Sequence, residues 1–113
     1  MANLRFISAS IDKIQEYTEL LKPLVFTPLQ LTLQEFFGDE IREVVRQKVL
    51  RAYKMKRAPL FVEHTGIFID AVGGMPGPFT SLFWQHMQAQ GLLRLVQCER
   101  DRRATLKLSL IHI

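Results

Sequence analysis

Apolar residues along this chain follow two rhythms. Ile41, Val44, Val45, Val49 and Ala52 recur at the 3.6-residue spacing of one helix face, predicting a helix from Asp39 to Lys54. Its charges agree with that direction. Asp39, Glu40 and Glu43 stand near the positive end, and Lys48, Arg51 and Lys54 near the negative end. Ala104, Leu106, Leu108 and Leu110 instead alternate with Thr105, Lys107 and Ser109, the period of a half-buried strand. Leu4-Arg5-Phe6-Ile7 reads as a short strand that runs through Ser8-Ala9-Ser10 into a helix carrying Ile14, Tyr17, Leu20 and Leu21. Ser10 has the side chain of an amino cap. Pro23 to Pro28 suggests a second strand at a sheet edge, because proline cannot donate to a ladder. Phe79 to Met87 reads as a helix ended by Gly91.

Between these segments lies the stretch Pro59 to Pro78. A short apolar run delivers Glu63, His64 and Thr65 to Gly66, a second apolar run follows, and a loop rich in Gly and Pro opens onto the next helix. Polar residues clustered at a strand end are more often a site than a core. A strand that feeds a helix amino terminus, as at Ser8 to Ser10, is a ready anion site because free N–H groups point outward there.

Composition bounds the reading. With 113 residues, 48% of them hydrophobic and 23% charged, the chain is expected to form a single domain with a real core. No apolar run approaches the roughly 20 residues that span a bilayer, and the first residues enter a strand-like run with no signal pattern. One cysteine, Cys98, rules out an internal disulfide and suits a reducing cytoplasm. The net charge of +4 resides largely in Arg51, Lys54, Lys56 and Arg57 and in Arg100, Arg102 and Arg103. Helix carboxyl ends and solvated turns account for these cations, and no interleaved aromatics argue for a nucleic-acid patch. A positive field also suits a triphosphate.

The order of the central stretch closely resembles the inosine triphosphatase (Ham1-like) family of nucleoside triphosphate pyrophosphatases. Its signature is an apolar strand, Glu/Asp-Asp-Thr/Ser-Gly, a second apolar strand and Gly-Gly-x-Pro-Gly. Here every element is present except the second acid, which is His64. The family's Thr-Gly-Asn-x-x-Lys is represented by Ser8-Ala9-Ser10-Ile11-Asp12-Lys13, which keeps the hydroxyl and the lysine. Gly91-Leu92-Leu93-Arg94-Leu95 and Asp101-Arg102-Arg103-Ala104 are similar to its Gly-Leu-x-x-Leu helix and Asp-Arg/Lys-x-Ala turn. The family's later half, with its base-recognition loop and Ser-His-Arg motif, has no counterpart in residues 1–113.

The resemblance implies an α/β domain with a mixed, curved sheet flanked by helices. It also implies cleavage of deaminated purine nucleoside triphosphates to monophosphate and pyrophosphate with Mg2+ or Mn2+. Ser8, Ser10, Lys13, Thr65, Gly66, Gly74, Gly77 and Phe79 would then bind the nucleotide, Glu63 and His64 would be catalytic, and Glu35, Glu63 and His64 would hold the metal. Lys13 also fits an ordinary surface lysine, Glu35 a solvated loop acid and Phe79 core packing. Replacing an acid by His64 weakens a magnesium site, which prefers hard oxygen, so turnover is expected to be slow or lost. The competing reading is an interaction module that keeps only the fold. Leu108 to Ile113 is apolar on both strand faces, which predicts a homodimer through that strand.

Overall fold

In the computed structural model, which describes residues 3–33, 38 and 40–113, the first apolar run is strand β1 (Arg5–Ser8), leading into helix α1 (Ile11–Leu20). Strand β2 (Thr27–Gln30), helix α2 (Ile41–Lys56) and strand β3 (Leu60–Ile69) follow. Two single-turn 3-10 segments, Asp70–Val72 and Gly77–Phe79, bracket the short strand β4 (Met75–Pro76). Helix α3 (Thr80–Arg94) and strand β5 (Ala104–His112) complete the chain. The result is a mixed α/β fold with an open sheet flanked by helices. Strands β2, β1 and β3 are parallel, β4 is antiparallel to β3, and β5 also pairs with β3.

The chain divides into two compact units, and β3 contributes to both. The first comprises Met1–Phe36, Val45–Glu63 and Leu110–Ile113; the second comprises Phe37–Val44 and His64–Ser109.

In the first unit, Arg5 lies opposite Leu60 and Phe6 opposite Phe61. Successive side chains on a strand point to opposite faces, so β1 and β3 feed two cores. Ile7, Leu60 and Val62 pack with Val45, Val49 and Ala52 of α2. Phe6 and Phe61 pack with Tyr17 of α1, their rings stacked at 4.7 Å, while Tyr17 meets Phe6 edge-on at 5.0 Å. Each fully buried side chain of this size contributes about 1.5–3 kcal/mol. Leu60 and Ile113 exchange both backbone hydrogen bonds, at 3.0 and 2.9 Å, which ties the last residue to β3. Strand β2 starts at Thr27, later than the proline spacing predicts. Leu24 N–H turns back to Leu21 at 2.8 Å, leaving Val25 88% exposed outside the sheet.

In the second unit, Phe68 pairs with Pro76 and Ile69 with Met75, and Asp70 N–H donates to the Arg103 carbonyl at 3.0 Å.

Three expectations change. The two apolar runs around Glu63-His64-Thr65-Gly66 are one ten-residue strand, not two. Helix α3 passes through Gly91 to Arg94 and breaks at Gln88 instead, where φ is 57°. Gly91 does not end it but serves close packing, since a Cβ there would stand 2.2 Å from the Met87 Cβ. Strand β5 forms as the alternation predicts, yet Leu106 and Leu108 are 72% and 55% exposed rather than half-buried.

Candidate functional site

The β1–α1 junction is built as the hydroxyl pattern requires. Ser10 caps α1, its Oγ accepting from the Lys13 backbone N–H at 3.2 Å. Ser8 is buried, and its Oγ accepts from Ser10 N–H at 3.1 Å. These bonds fix the turn that presents the first helical N–H groups. Lys13 reaches from α1 to β3, where its Nζ stands 2.7 Å from Glu63 Oε1. Glu63 is 1% exposed, while the Lys13 side chain is 38% exposed. The carboxylate is therefore anchored and the ammonium opens toward solvent.

Two residues that sequence reasoning passed over complete this cluster. Lys48 Nζ donates to the Glu63 backbone carbonyl at 2.9 Å. It was read only as one of the cations at a helix end, but it lies in line with Val44, Val45, Val49 and Ala52 on the apolar stripe. A lysine in that row is the signal that could have found it. Tyr17, which falls on the apolar stripe of α1, is buried against Phe6 and Phe61, with its hydroxyl close enough to Glu63 to feel that charge. Burial first, then the Glu63 charge, and last Glu16, hold that hydroxyl above its ordinary value. Ser8, Ser10, Lys13, Glu63, Tyr17 and Lys48 thus converge within the first unit.

The second unit gathers the rest of the central stretch. His64 is buried at 6% exposure, and its Nε2 donates to the Pro78 carbonyl at 2.9 Å, because a carbonyl can only accept. Nδ1 is then the ring nitrogen that Pro78 does not engage. Thr65 is half-buried in β3. Gly66 is needed for close approach: a Cβ there would stand 2.5 Å from the Gly77 carbonyl oxygen. Thr80, not singled out from sequence, accepts from Ile67 N–H at 2.9 Å and donates to the Gly77 carbonyl at 2.6 Å. Gly74 N–H donates to the Ile69 carbonyl at 2.9 Å, closing the turn before β4. Phe79 ends the 3-10 turn that opens α3 and is half-buried.

Glu35 lies outside the described residues. Among the described residues, no group of three or more His, Cys, Asp or Glu side chains stands together to hold a metal ion. No described helix is long and apolar enough to cross a membrane, and Cys98 is an exposed free thiol.

The Ham1 family matches residues 4–112. An inosine triphosphate pyrophosphatase of Trypanosoma cruzi is 37% identical over 76 residues, covering 67% of this chain and 39% of that protein. A dITP/XTP pyrophosphatase of Ignicoccus hospitalis is 32% identical over 102 residues, covering 88% of this chain and 54% of that protein. The chain thus spans about half the length of such relatives, 39% of one and 54% of the other. Among solved structures, the Ham1 protein of Staphylococcus aureus superimposes with a TM-score of 0.69 at 17% identity, covering 96% of this chain and 62% of that one. A HAM1 protein of Coxiella burnetii gives 0.67 at 18% identity, with 99% and 72% covered. At such identities the structural likeness speaks for the fold.

Proposed function

Since the chain belongs to the Ham1 family, we propose that it binds deaminated purine nucleoside triphosphates, such as inosine triphosphate, and releases pyrophosphate from them slowly. The observation that carries this reading is the β1–α1 junction, where a capped helix start, a half-exposed lysine and a buried glutamate meet. Helix N–H groups and an ammonium are the donors that a polyphosphate requires. Lys13 anchors a phosphate, with the hydroxyls of Ser8 and Ser10 shaping the loop beside it. Lys48 adds a second cation next to Glu63. By the family resemblance, Thr65, Gly66, Gly74, Gly77 and Phe79 of the second unit are further candidates for nucleotide contact.

In the reaction, water attacks the α-phosphorus, the bond to the bridging oxygen breaks, and pyrophosphate leaves. His64 stands at the family's second acid position and is the candidate, by that resemblance, to take the proton from that water. Turnover is expected to be slow because His64 stands where the family has an acid, and magnesium prefers hard oxygen. Glu63 offers one hard carboxylate oxygen, which fits Mg2+ or Mn2+ held mainly by phosphate oxygens and water, with Glu35 as a second protein oxygen. Such a cation neutralises phosphate charge when bound. His64 does not fit as a ligand through Nε2, since that atom carries a proton. We place this activity in the cytoplasm. Calorimetric titration with inosine triphosphate tests the reading, and saturable binding is the expected outcome.

We further propose that the working form is a homodimer joined along β5. Leu106, Leu108, Leu110 and Ile113 are 72%, 55%, 42% and 45% exposed, and an open apolar strand invites pairing with another chain. Light scattering should give twice the chain mass of 13.1 kDa. A monodisperse species at 13.1 kDa would exclude the dimer. The second reading, an interaction module without catalysis, draws on the same exposed strand and on the tethered His64 ring.

A further inference from the structure

We propose that two copies of this chain pair their β5 edges antiparallel in one register, with Leu108 facing its own counterpart on the two-fold axis. This rests on the homodimer proposed above and adds to it the register, the residues in contact and a sheet continuous across both copies.

Which backbone groups of β5 face outward follows from its bonds to β3. Leu60 and Ile113 exchange both backbone hydrogen bonds, and Asp70 N–H donates to the Arg103 carbonyl at 3.0 Å. Both fit a single antiparallel register, in which the odd-numbered residues of β5 turn their N–H and C=O groups toward β3. Ala104, Leu106, Leu108, Leu110 and His112 therefore turn theirs outward. Among the described residues, no further strand pairs with that edge. Edge strands are ordinarily guarded by proline or by charge, and this outward row carries neither a proline nor a lysine. Lys107 points to the opposite face, its Nζ 4.5 Å from the centre of the Phe68 ring, so it does not guard the row. Ile111, on that same face as Lys107, packs against the core of Leu60 and Val62. The leucines of the outward row stay uncovered, with Leu106, Leu108 and Leu110 all exposed.

A two-fold contact is self-complementary, so its register is set by which residue meets itself. With Leu108 on the axis, Leu106 lies opposite Leu110 of the second copy and Ala104 opposite His112, all as hydrogen-bonded pairs. Each exposed leucine of the row then faces a leucine, and Lys107 faces Ser109. Moving the axis to Lys107 would set two ammonium groups directly opposite each other, which is repulsive. Moving it to Ser109 would place Leu106 against His112 and Lys107 against Ile111. Leu108 is also the middle residue of β5, so this register alone pairs the strand over its whole length.

The test uses the full chain carrying Cys98→Ser, which removes the exposed native thiol. Leu108→Cys, Lys107→Cys and Ser109→Cys are introduced singly, oxidised mildly and read on a non-reducing gel. Only residue 108 lies across from itself in this register, at about 5.5 Å between Cα atoms, within disulfide reach. Residues 107 and 109 stand about 7–8 Å from their own counterparts, outside it. Leu108→Cys is therefore expected to cross-link about tenfold faster than either neighbour. Leu108→Lys puts two like charges on the axis from an exposed position. It should shift the light-scattering mass from twice 13.1 kDa to 13.1 kDa, with the circular dichroism spectrum unchanged. Should that variant fail to fold, the cross-linking order decides by itself. Faster cross-linking of Lys107→Cys or Ser109→Cys would overturn the register while leaving a β5 dimer in place. No cross-linking in any variant, with Leu108→Lys still dimeric, would overturn the contact itself. A natural chain that scatters as a monomer removes the dimer reading and this register with it.

Discussion

Lys13→Ala is expected to weaken inosine triphosphate binding by about 10- to 100-fold, the range for losing one charge-assisted hydrogen bond. Lys13 Nζ stands 2.7 Å from Glu63 beside a helix start whose first N–H groups face outward, and it is the more exposed member of that pair. A bound phosphate would lose its point-charge partner and keep only the backbone donors. The same substitution removes the cation facing a buried carboxylate, so the melting temperature should fall as well. Calorimetry at low salt checks the binding effect, and unchanged affinity would remove Lys13 from the site.

Replacing His64 by the family's acid is expected to destabilise the chain in cation-free buffer by about 2–4 kcal/mol. His64 is buried, and its Nε2–H donates to the Pro78 carbonyl at 2.9 Å. An ionised Asp cannot donate and is too short to reach, so His64→Asp strands a buried acceptor and adds a buried charge. Millimolar magnesium or manganese should recover part of the loss, because a ligand that binds only the folded state stabilises it. Thermal unfolding with and without cation reads both effects. An unchanged melting temperature in chelator would mean that the Pro78 bond does not hold His64. Recovery by neither ion would mean that the acid alone does not complete a metal site.

Much of the first unit was legible because its signals are local. Ser10 caps α1 as its hydroxyl and position suggest, and the Val44-Val45-Val49-Ala52 stripe forms α2 within two residues of the expected ends. The long strand β3 was not legible. Glu63, His64 and Thr65 interrupt the apolar run and imitate a break, yet the strand continues. Glu63 and His64 are buried there because distant groups satisfy them: Lys13 lies 50 residues away from Glu63 and Pro78 lies 14 from His64. No local pattern carries that information. The break at Gln88 was hidden for a different reason, since glutamine is a good helix former and only tertiary context forces φ to 57°. At the candidate site, the serines, Lys13 and the glycines were singled out through the family resemblance, not through any local periodicity. Tyr17 and Lys48 escaped because each sits in an apolar stripe, where a polar tip is easily read as core or surface.

The ligand-binding expectations above all depend on binding of a purine nucleoside triphosphate at the β1–α1 junction. Calorimetric titration of the full chain with inosine triphosphate, in magnesium and again in manganese, tests it most directly. Saturable heat at one nucleotide per chain, abolished or strongly weakened by Lys13→Ala, is expected. Absence of any binding heat from a folded chain at millimolar nucleotide, with both cations, would contradict it.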